Sequence, residues 1–290
     1  MNHRLIQELG VLLLLPWLAC ASLAACGDDS DGDSSGNAGA GGSDPFGNAT
    51  GGVPSNPRRD GGGGGGATTG GGASSGDAGA CDKSLRLVVR DFTEAHPDFE
   101  HFTGAGLDGI VKDDLGADSK PVYAHAAGTA LTTGPDEFAD WYHDVAGVNQ
   151  RVEVAIEFME TSPGVYVYDD SDFFPIDGRG MGNGPNPDHN FLFTTEAHTR
   201  FTYEGGEEFT FRGDDDLWVF VNGKLAVDLG GLHTPLEESI DFDAAAGRLG
   251  ITRGQTYAMD IFHAERHTVQ SNFRIETTID LSCIENIDVR

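Results

Sequence analysis

The chain has 290 residues, enough for one large or two small domains, and 47 acidic against 18 basic residues give it a net charge of −29. That balance excludes a nucleic-acid partner, because phosphate binding needs a footprint of lysine and arginine. It suits divalent cations and neutral ligands such as glycans.

Residues 1–25 read as a signal peptide. Arg4 makes a weak basic start, and Val11 to Leu15 with Pro16, Trp17 and Leu18 make an apolar core too short to span a membrane. Leu23-Ala24-Ala25-Cys26 follows. It is similar to a bacterial lipobox, in which small residues precede a cysteine that is lipidated and becomes the new N-terminus. The alternative is an ordinary signal peptide with Ala-x-Ala cleavage nearby. Both predict export; the lipobox adds a lipid anchor at Cys26 and an outer-membrane or cell-surface location. Cys20, after Trp17-Leu18-Ala19, leaves with the signal.

Residues 26–80 are rich in Gly, Ser, Asp, Asn and Ala, with glycine at every position from 61 to 66. Such a segment has too little apolar surface for a core and is predicted to be a disordered tether. No Lys-Ser/Thr follows the glycines and no strand precedes them, so they are not a phosphate-binding loop. Residues 81–290 keep 39 acidic and 15 basic residues, so the acidity belongs to the predicted folded domain.

Cys81 and Cys283 flank that domain. In an oxidising compartment the pair reads as a disulfide, which would restrain the unfolded chain by roughly 4–5 kcal/mol in the entropy account. The alternative is two free thiols. Between them, Leu85, Leu87 and Val89 alternate with Arg86 and Arg90, a strand. Phe92, Phe99 and Phe102 lie in a connection with Pro97, and 111–123 is turn-rich. Gly134-Pro135 starts a short helix, with Phe138, Trp141, Tyr142 and Val145 on one apolar face that packs on the sheet.

Strands are predicted at Val152–Phe158, Val165–Tyr168, Phe191–Thr194, Phe201–Tyr203, Phe209–Phe211, Tyr257–Phe262 and Phe273–Leu281. Residues 173–190 carry glycines at every second position but also Pro185 and Pro187, which forbid a dinucleotide-binding helix; they read as a long exposed loop. Leu217–Val221 reads as a half-buried strand, Asn222-Gly223 as a type I′ turn and Lys224–Leu229 as the returning strand. Three adjacent carboxylates, Asp214, Asp215 and Asp216, stand at the open end of this hairpin. The fold class is all-β: an antiparallel sandwich with one short helix, over 81–290.

The motifs RDF (90–92), HPDFE (96–100), FFPIDG (173–178), HNFLFTTE (189–196), FTFRGDDDLWVFVNGKLAVDLGGLH (209–233) and FHAERHTVQSNFRIETT (262–278) resemble the bacterial fibro-slime domain. That domain looks like a branch of the PA14 β-sandwich superfamily, which includes carbohydrate-binding modules of yeast adhesins and glycosidases. The superfamily hallmark is an aspartate pair before a strand that ends in Asp/Asn-Gly, matched here by Asp214-Asp215 and Asn222-Gly223. In the adhesins the pair, joined by a cis peptide, holds a calcium ion that also binds sugar hydroxyls. The resemblance therefore implies Ca2+ at Asp214 and Asp215. Asp216 departs from it, standing where glycine is usual, which changes the loop.

Calcium takes about six to eight oxygens from carboxylates, carbonyls, water or sugar diols. Asp216, Asn222 and Asp228 are further candidate ligands, and Gly230 to His233 are predicted to wall the site, with His233 facing the ligand. The bland alternative is that these acids cap turns and solvate the end of the sheet. Asp169, Asp170 and Asp172 form a second acidic cluster without a supporting hairpin. His263, Glu265 and His267, joined by His233 or His189, would make a zinc hydrolase, although HExxH is absent. No Gly-x-Ser-x-Gly elbow occurs, and no carboxylate pair stands out as a glycosidase pair. The functional expectation is a non-enzymatic, lipid-anchored surface module that binds glycans or extracellular matrix with the help of calcium; a structural matrix module without a glycan site is the main alternative.

Overall fold

Alternating side chains dictate most of the architecture. In the computed structural model, residues 83–268 and 270–288 are described; the predicted signal peptide, Cys26, the tether and Cys81 lie outside them. The chain divides into units 1–70 and 71–290, and the description concerns the second. Cys283 is disulfide-bonded.

The strands are β1 (Ser84–Asp91), β2 (Gln150–Glu157), β3 (Met159–Ser162), β4 (Val165–Asp170), β5 (Phe193–Tyr203), β6 (Glu208–Gly213), β7 (Asp216–Val221), β8 (Lys224–Leu229), β9 (Leu236–Asp241), β10 (Gln255–Glu265), β11 (Phe273–Thr277) and β12 (Glu285–Asn286). One sheet runs β2-β1-β5-β10-β7-β8, with β12 added to β5; the other runs β3-β4-β11-β6-β9. Every strand pairing is antiparallel, as the all-β reading predicts.

Leu85, Leu87 and Val89 face inward from β1, and Phe193, Leu217, Val219, Ile261, Phe211 and Ile275 meet them in the core between the sheets. A second core lies on the outer face of the larger sheet. There Phe92, Phe99, Ile110, Phe138, Trp141 and Tyr142 cover Trp218, Phe220 and Phe262. The sequence marks β7 as half-buried, but all six of its residues are buried, because the 92–148 segment covers the face that would otherwise meet solvent.

Among the described residues two helices occur, where the sequence predicts one. The first, α1 (Pro135–Ala139), is shorter than the apolar face of Phe138 to Val145 implies. The second, α2 (Phe242–Leu249), is capped by the Asp241 side chain, which accepts hydrogen bonds from the Asp243 and Ala244 N–H groups, and is closed by Gly250 at φ 66°. Both signals are written in the sequence. The end of the run 191–194 and the run 201–203 belong to one strand, β5. Its middle is polar because Glu196 and His198 face a buried ion cluster on the outer side of the sheet. Glu196 meets Lys120 Nζ at 2.5 Å, Arg90 at 3.0 Å and His198 at 3.5 Å, and His198 meets Asp260 at 2.7 Å.

Candidate functional site

β6 ends at Gly213 and β7 begins at Asp216, so Asp214 and Asp215 form the turn that carries the chain from the smaller sheet to the larger. Asp215 makes this turn at φ 54°, a left-handed conformation that aspartate tolerates better than most residues. The Asp214–Asp215 peptide is trans, unlike the cis pair that the resemblance implies. Gly213 is needed just before the turn: a Cβ there would lie 2.7 Å from the Phe211 ring and 3.0 Å from the Asn272 carbonyl.

The turn floors a cavity of about 220 Å³, walled by Thr103, Gly104, Leu232, His233, Thr234, His267 and Gln270. Gly230 and Gly231 let the 104–107 segment pass against the 230–233 loop, since a Cβ on either would meet Leu107 backbone at 2.6–2.7 Å. Leu107 N–H then donates to the Gly230 carbonyl, and Gly231 N–H to Asp216.

The three aspartates have different fates. Asp214 accepts from both the backbone and side-chain nitrogens of Asn272, at 2.6 and 2.9 Å. Asp215 accepts from Arg266 N–H at 2.9 Å. Asp216 is fully buried and paired with Arg266 Nε at 2.6 Å, so it is a structural anchor and not a ligand-facing group. Asn222 is also excluded. It sits at the far end of β7, where its side chain donates to the Leu249 carbonyl at 3.0 Å, and a six-residue strand separates it from Asp215. Its φ of 53°, with 71° at Gly223, does make the predicted type I′ turn. Asp228 is occupied by Trp218 Nε1 and Gly109 N–H. His233 is a wall residue as predicted, with its ring nitrogens against the Thr234 and Leu229 carbonyls at 3.0 and 3.3 Å.

Arg266 organises the site and was not anticipated from the sequence. Its guanidinium, fully buried, binds Asp216 and the Asp98 and Leu131 carbonyls and lies 4.7 Å from the Trp141 ring centroid. With its charge committed to Asp216, little positive charge remains for the other acids. Burial pushes Asp215 up to about 7; Arg266 opposes this, and Asp216 and Asp214 add to it. Burial raises Asp214 against the Asn272 hydrogen bonds. Glu265, fully buried at the end of β10, is raised by burial and then by Asp215 and Asp214.

The zinc set is not assembled. His263 is enclosed by the rings of Phe173, Phe193 and Phe273, and burial holds it down to about 3. His189 pairs instead with Asp177 at 2.7 Å. Asp169 is bound to Arg274. Among the described residues no group of three or more His, Cys, Asp or Glu side chains is placed to hold a metal. A cation at the turn would therefore rest on Asp214 and Asp215, with carbonyls, water and ligand hydroxyls completing its shell. Two buried carboxyls that burial raises, and a Glu265 oxygen without a hydrogen-bond partner among the described residues, are what the turn would offer a cation.

Residues 159–288 match the family model of the PA14 domain. Protein psiC of Dictyostelium discoideum is 38% identical over 225 residues, covering 71% of this chain and 43% of that protein. Protein psiQ of the same organism is 40% identical over 215 residues, covering 69% of this chain and 21% of that protein. The chain thus spans less than half the length of these relatives. Among solved structures, the PA14 domain of the MpAFP antifreeze protein aligns at TM-score 0.32 and 10% identity, covering 70% of this chain and 87% of that one. A PA14 sugar-binding domain from an RTX adhesin aligns at 0.29 and 8%, covering 70% and 95%.

Proposed function

Because this chain carries a PA14 domain over residues 159–288, we propose that it is a non-enzymatic carbohydrate-binding module whose site is the cavity above Asp214 and Asp215. The observation that carries the reading is the pairing of that cavity with two buried, under-neutralised carboxylates. A calcium ion on the two carboxylates would supply the missing positive charge and offer open coordination positions to a vicinal diol. Thr103, His233, Thr234 and Gln270 would orient the sugar with hydrogen bonds, and Leu232 would give it an apolar wall.

The cellular setting is a proposal from the sequence. Export, lipidation at Cys26, a tether over 26–80 and a Cys81–Cys283 bridge would hold the cavity out from an outer membrane or cell surface. Many weak sites displayed in this way adhere strongly to glycans or extracellular matrix through multivalency. Metabolic labelling with a palmitate analogue checks the anchor: label should disappear in Cys26→Ser, and retention contradicts lipidation at that residue.

A glycan array probed with and without a chelator tests the function. Binding that needs calcium and disappears in Asp215→Ala supports the proposal. The rival reading is a structural matrix module without a glycan site, and an array blank under both conditions would establish that rival.

A further inference from the structure

The two outer strands of the larger sheet end it in different ways. β8 is closed: Leu225 N–H donates to the Asp113 carbonyl, Leu115 N–H donates to the Gly223 carbonyl, and the Arg248 guanidinium covers the carbonyls of Leu225 and Ala226. β2, on the opposite side, has no strand beyond it among the described residues. It pairs with β1 along its whole length without a bulge, and Arg151, Glu153, Ala155 and Glu157 are exposed. Its main-chain orientation follows from β1. The Ser84 carbonyl and the Arg86 N–H both bond the Asn286 side chain, which lies on β12 and therefore on the side of β1 away from β2. Ser84 and Arg86 stand opposite Glu157 and Ala155. Bonded and non-bonded pairs alternate along an antiparallel ladder, so Arg151, Glu153, Ala155 and Glu157 turn their N–H and C=O groups outward. There the Glu153 carbonyl meets only a long contact from the exposed Arg179 guanidinium, at 3.5 Å, which an incoming strand would displace.

An outward row of main-chain donors and acceptors is a template for another strand, and charge selects which one. When β2 is laid antiparallel on β2 of a second copy about a two-fold axis at Val154, Arg151 falls opposite Glu157 of that copy, and Glu157 opposite its Arg151. Glu153 then faces Ala155, and Val152 faces Ile156. A slip of two residues, the smallest that keeps each side chain on its face, sets Glu153 against Glu153 in one direction and against Glu157 in the other, and like charges directly opposite are unfavourable. On the inner face Val154 borders a cavity of about 230 Å³ with Tyr168, Phe174 and Pro175, which an added strand would cover. We propose that β2 is a self-association edge, through which two copies join their larger sheets by antiparallel β2–β2 pairing centred on Val154. β2 runs in the same direction as β7, which starts at the acidic turn. The two cavities of the dimer therefore open towards opposite ends. On the glycan-binding reading above, such a dimer bridges two surfaces; the pairing itself does not depend on that reading.

Sedimentation velocity of the full chain over a range of concentrations, in a chelator so that no cation takes part, tests the edge. The expected result is a concentration-dependent equilibrium between monomer and dimer. Arg151→Glu sets acid against acid at both charged positions and should raise the dimer dissociation constant about tenfold or more, with the melting temperature of the monomer unchanged. Glu157→Arg alone, which sets arginine against arginine, should do the same. The two substitutions together exchange the charges and should restore the parent's dimer. A parent chain that stays monomeric at every concentration, single variants that dimerise as the parent does, or a double variant that does not recover overturns the inference.

Discussion

Glu196 and Asp215 are both buried acids on strands or turns that flank β10, yet their surroundings treat them oppositely. Burial pushes Glu196 up, but contact with His198 and the charges of Arg90 and Lys120 outweigh it and hold the carboxyl at about 2. Burial pushes Asp215 up as well, and there the single guanidinium nearby is outweighed, leaving it at about 7. The first cluster has its charges matched in ion pairs with protein groups: it ties β1, β5 and β10 to the Lys120 region of the covering segment. The second is short of positive charge and opens onto a cavity. Buried charge by itself does not mark a binding site; buried charge that the protein leaves uncompensated beside an opening does.

The largest effect should come from breaking the matched cluster. Glu196→Gln leaves Arg90 and Lys120 buried without their carboxylate, and urea denaturation should show a loss of about 3–5 kcal/mol. Asp215→Asn, in a chelator, should lose less than about 1 kcal/mol or gain stability. Equal losses at the two positions would erase the distinction between the clusters. Next in size is ligand linkage: calcium at about a hundred times its dissociation constant should add about 2.7 kcal/mol to the parent chain. Asp215→Asn should abolish this gain, and thermal scans with and without a chelator measure it.

The pH dependence carries opposite signs at the two sites. Asp215 has a folded value of about 7 against an ordinary 3.8, so its contribution is fully present below 3.8 and is lost as pH rises towards 7. Asp214 and Glu265, both raised, act in the same direction. Glu196, at about 2 against an ordinary 4.5, contributes stability above 4.5 that is lost as pH falls through about 2. Calcium-free protein should therefore weaken as pH rises from about 4 to about 7, with calcium flattening that slope and Glu196→Gln removing part of the loss in acid. Asn222→Ala probes the far end of the hairpin. It should cost about 1 kcal/mol through the lost bond to the Leu249 carbonyl and leave calcium binding unaltered; a change in calcium affinity would return Asn222 to the site.

The alternating strands and the Asn222-Gly223 turn were legible in the sequence because their signals are local: side-chain period and backbone φ. The acidic turn was legible too, since Asp214, Asp215 and Asp216 are adjacent. What adjacency could not reveal is which oxygen faces which partner. Asp216 looked equivalent to its neighbours until Arg266, fifty residues later, claimed it. Arg266 itself had a faint signal, a lone arginine at the end of an apolar strand in a domain short of bases. The second core was half legible: Phe138, Trp141 and Tyr142 share a helical period and read as packing on the sheet, but Phe92, Phe99 and Ile110 lie in irregular chain with no period, and only contact with the outer face of the larger sheet reveals why they are apolar. α2 carried readable caps in Asp241 and Gly250, but its short, alanine-rich run offers only a weak apolar stripe.

Crystals of the chain grown in a chelator and then soaked in calcium with a neutral oligosaccharide give the most direct test. The account predicts one calcium ion at the floor of the cavity, about 2.3–2.6 Å from carboxylate oxygens of Asp214 and Asp215, with sugar hydroxyls completing its shell between His233 and Gln270. An empty floor at saturating calcium, or a cation and sugar bound elsewhere on the domain, would contradict it.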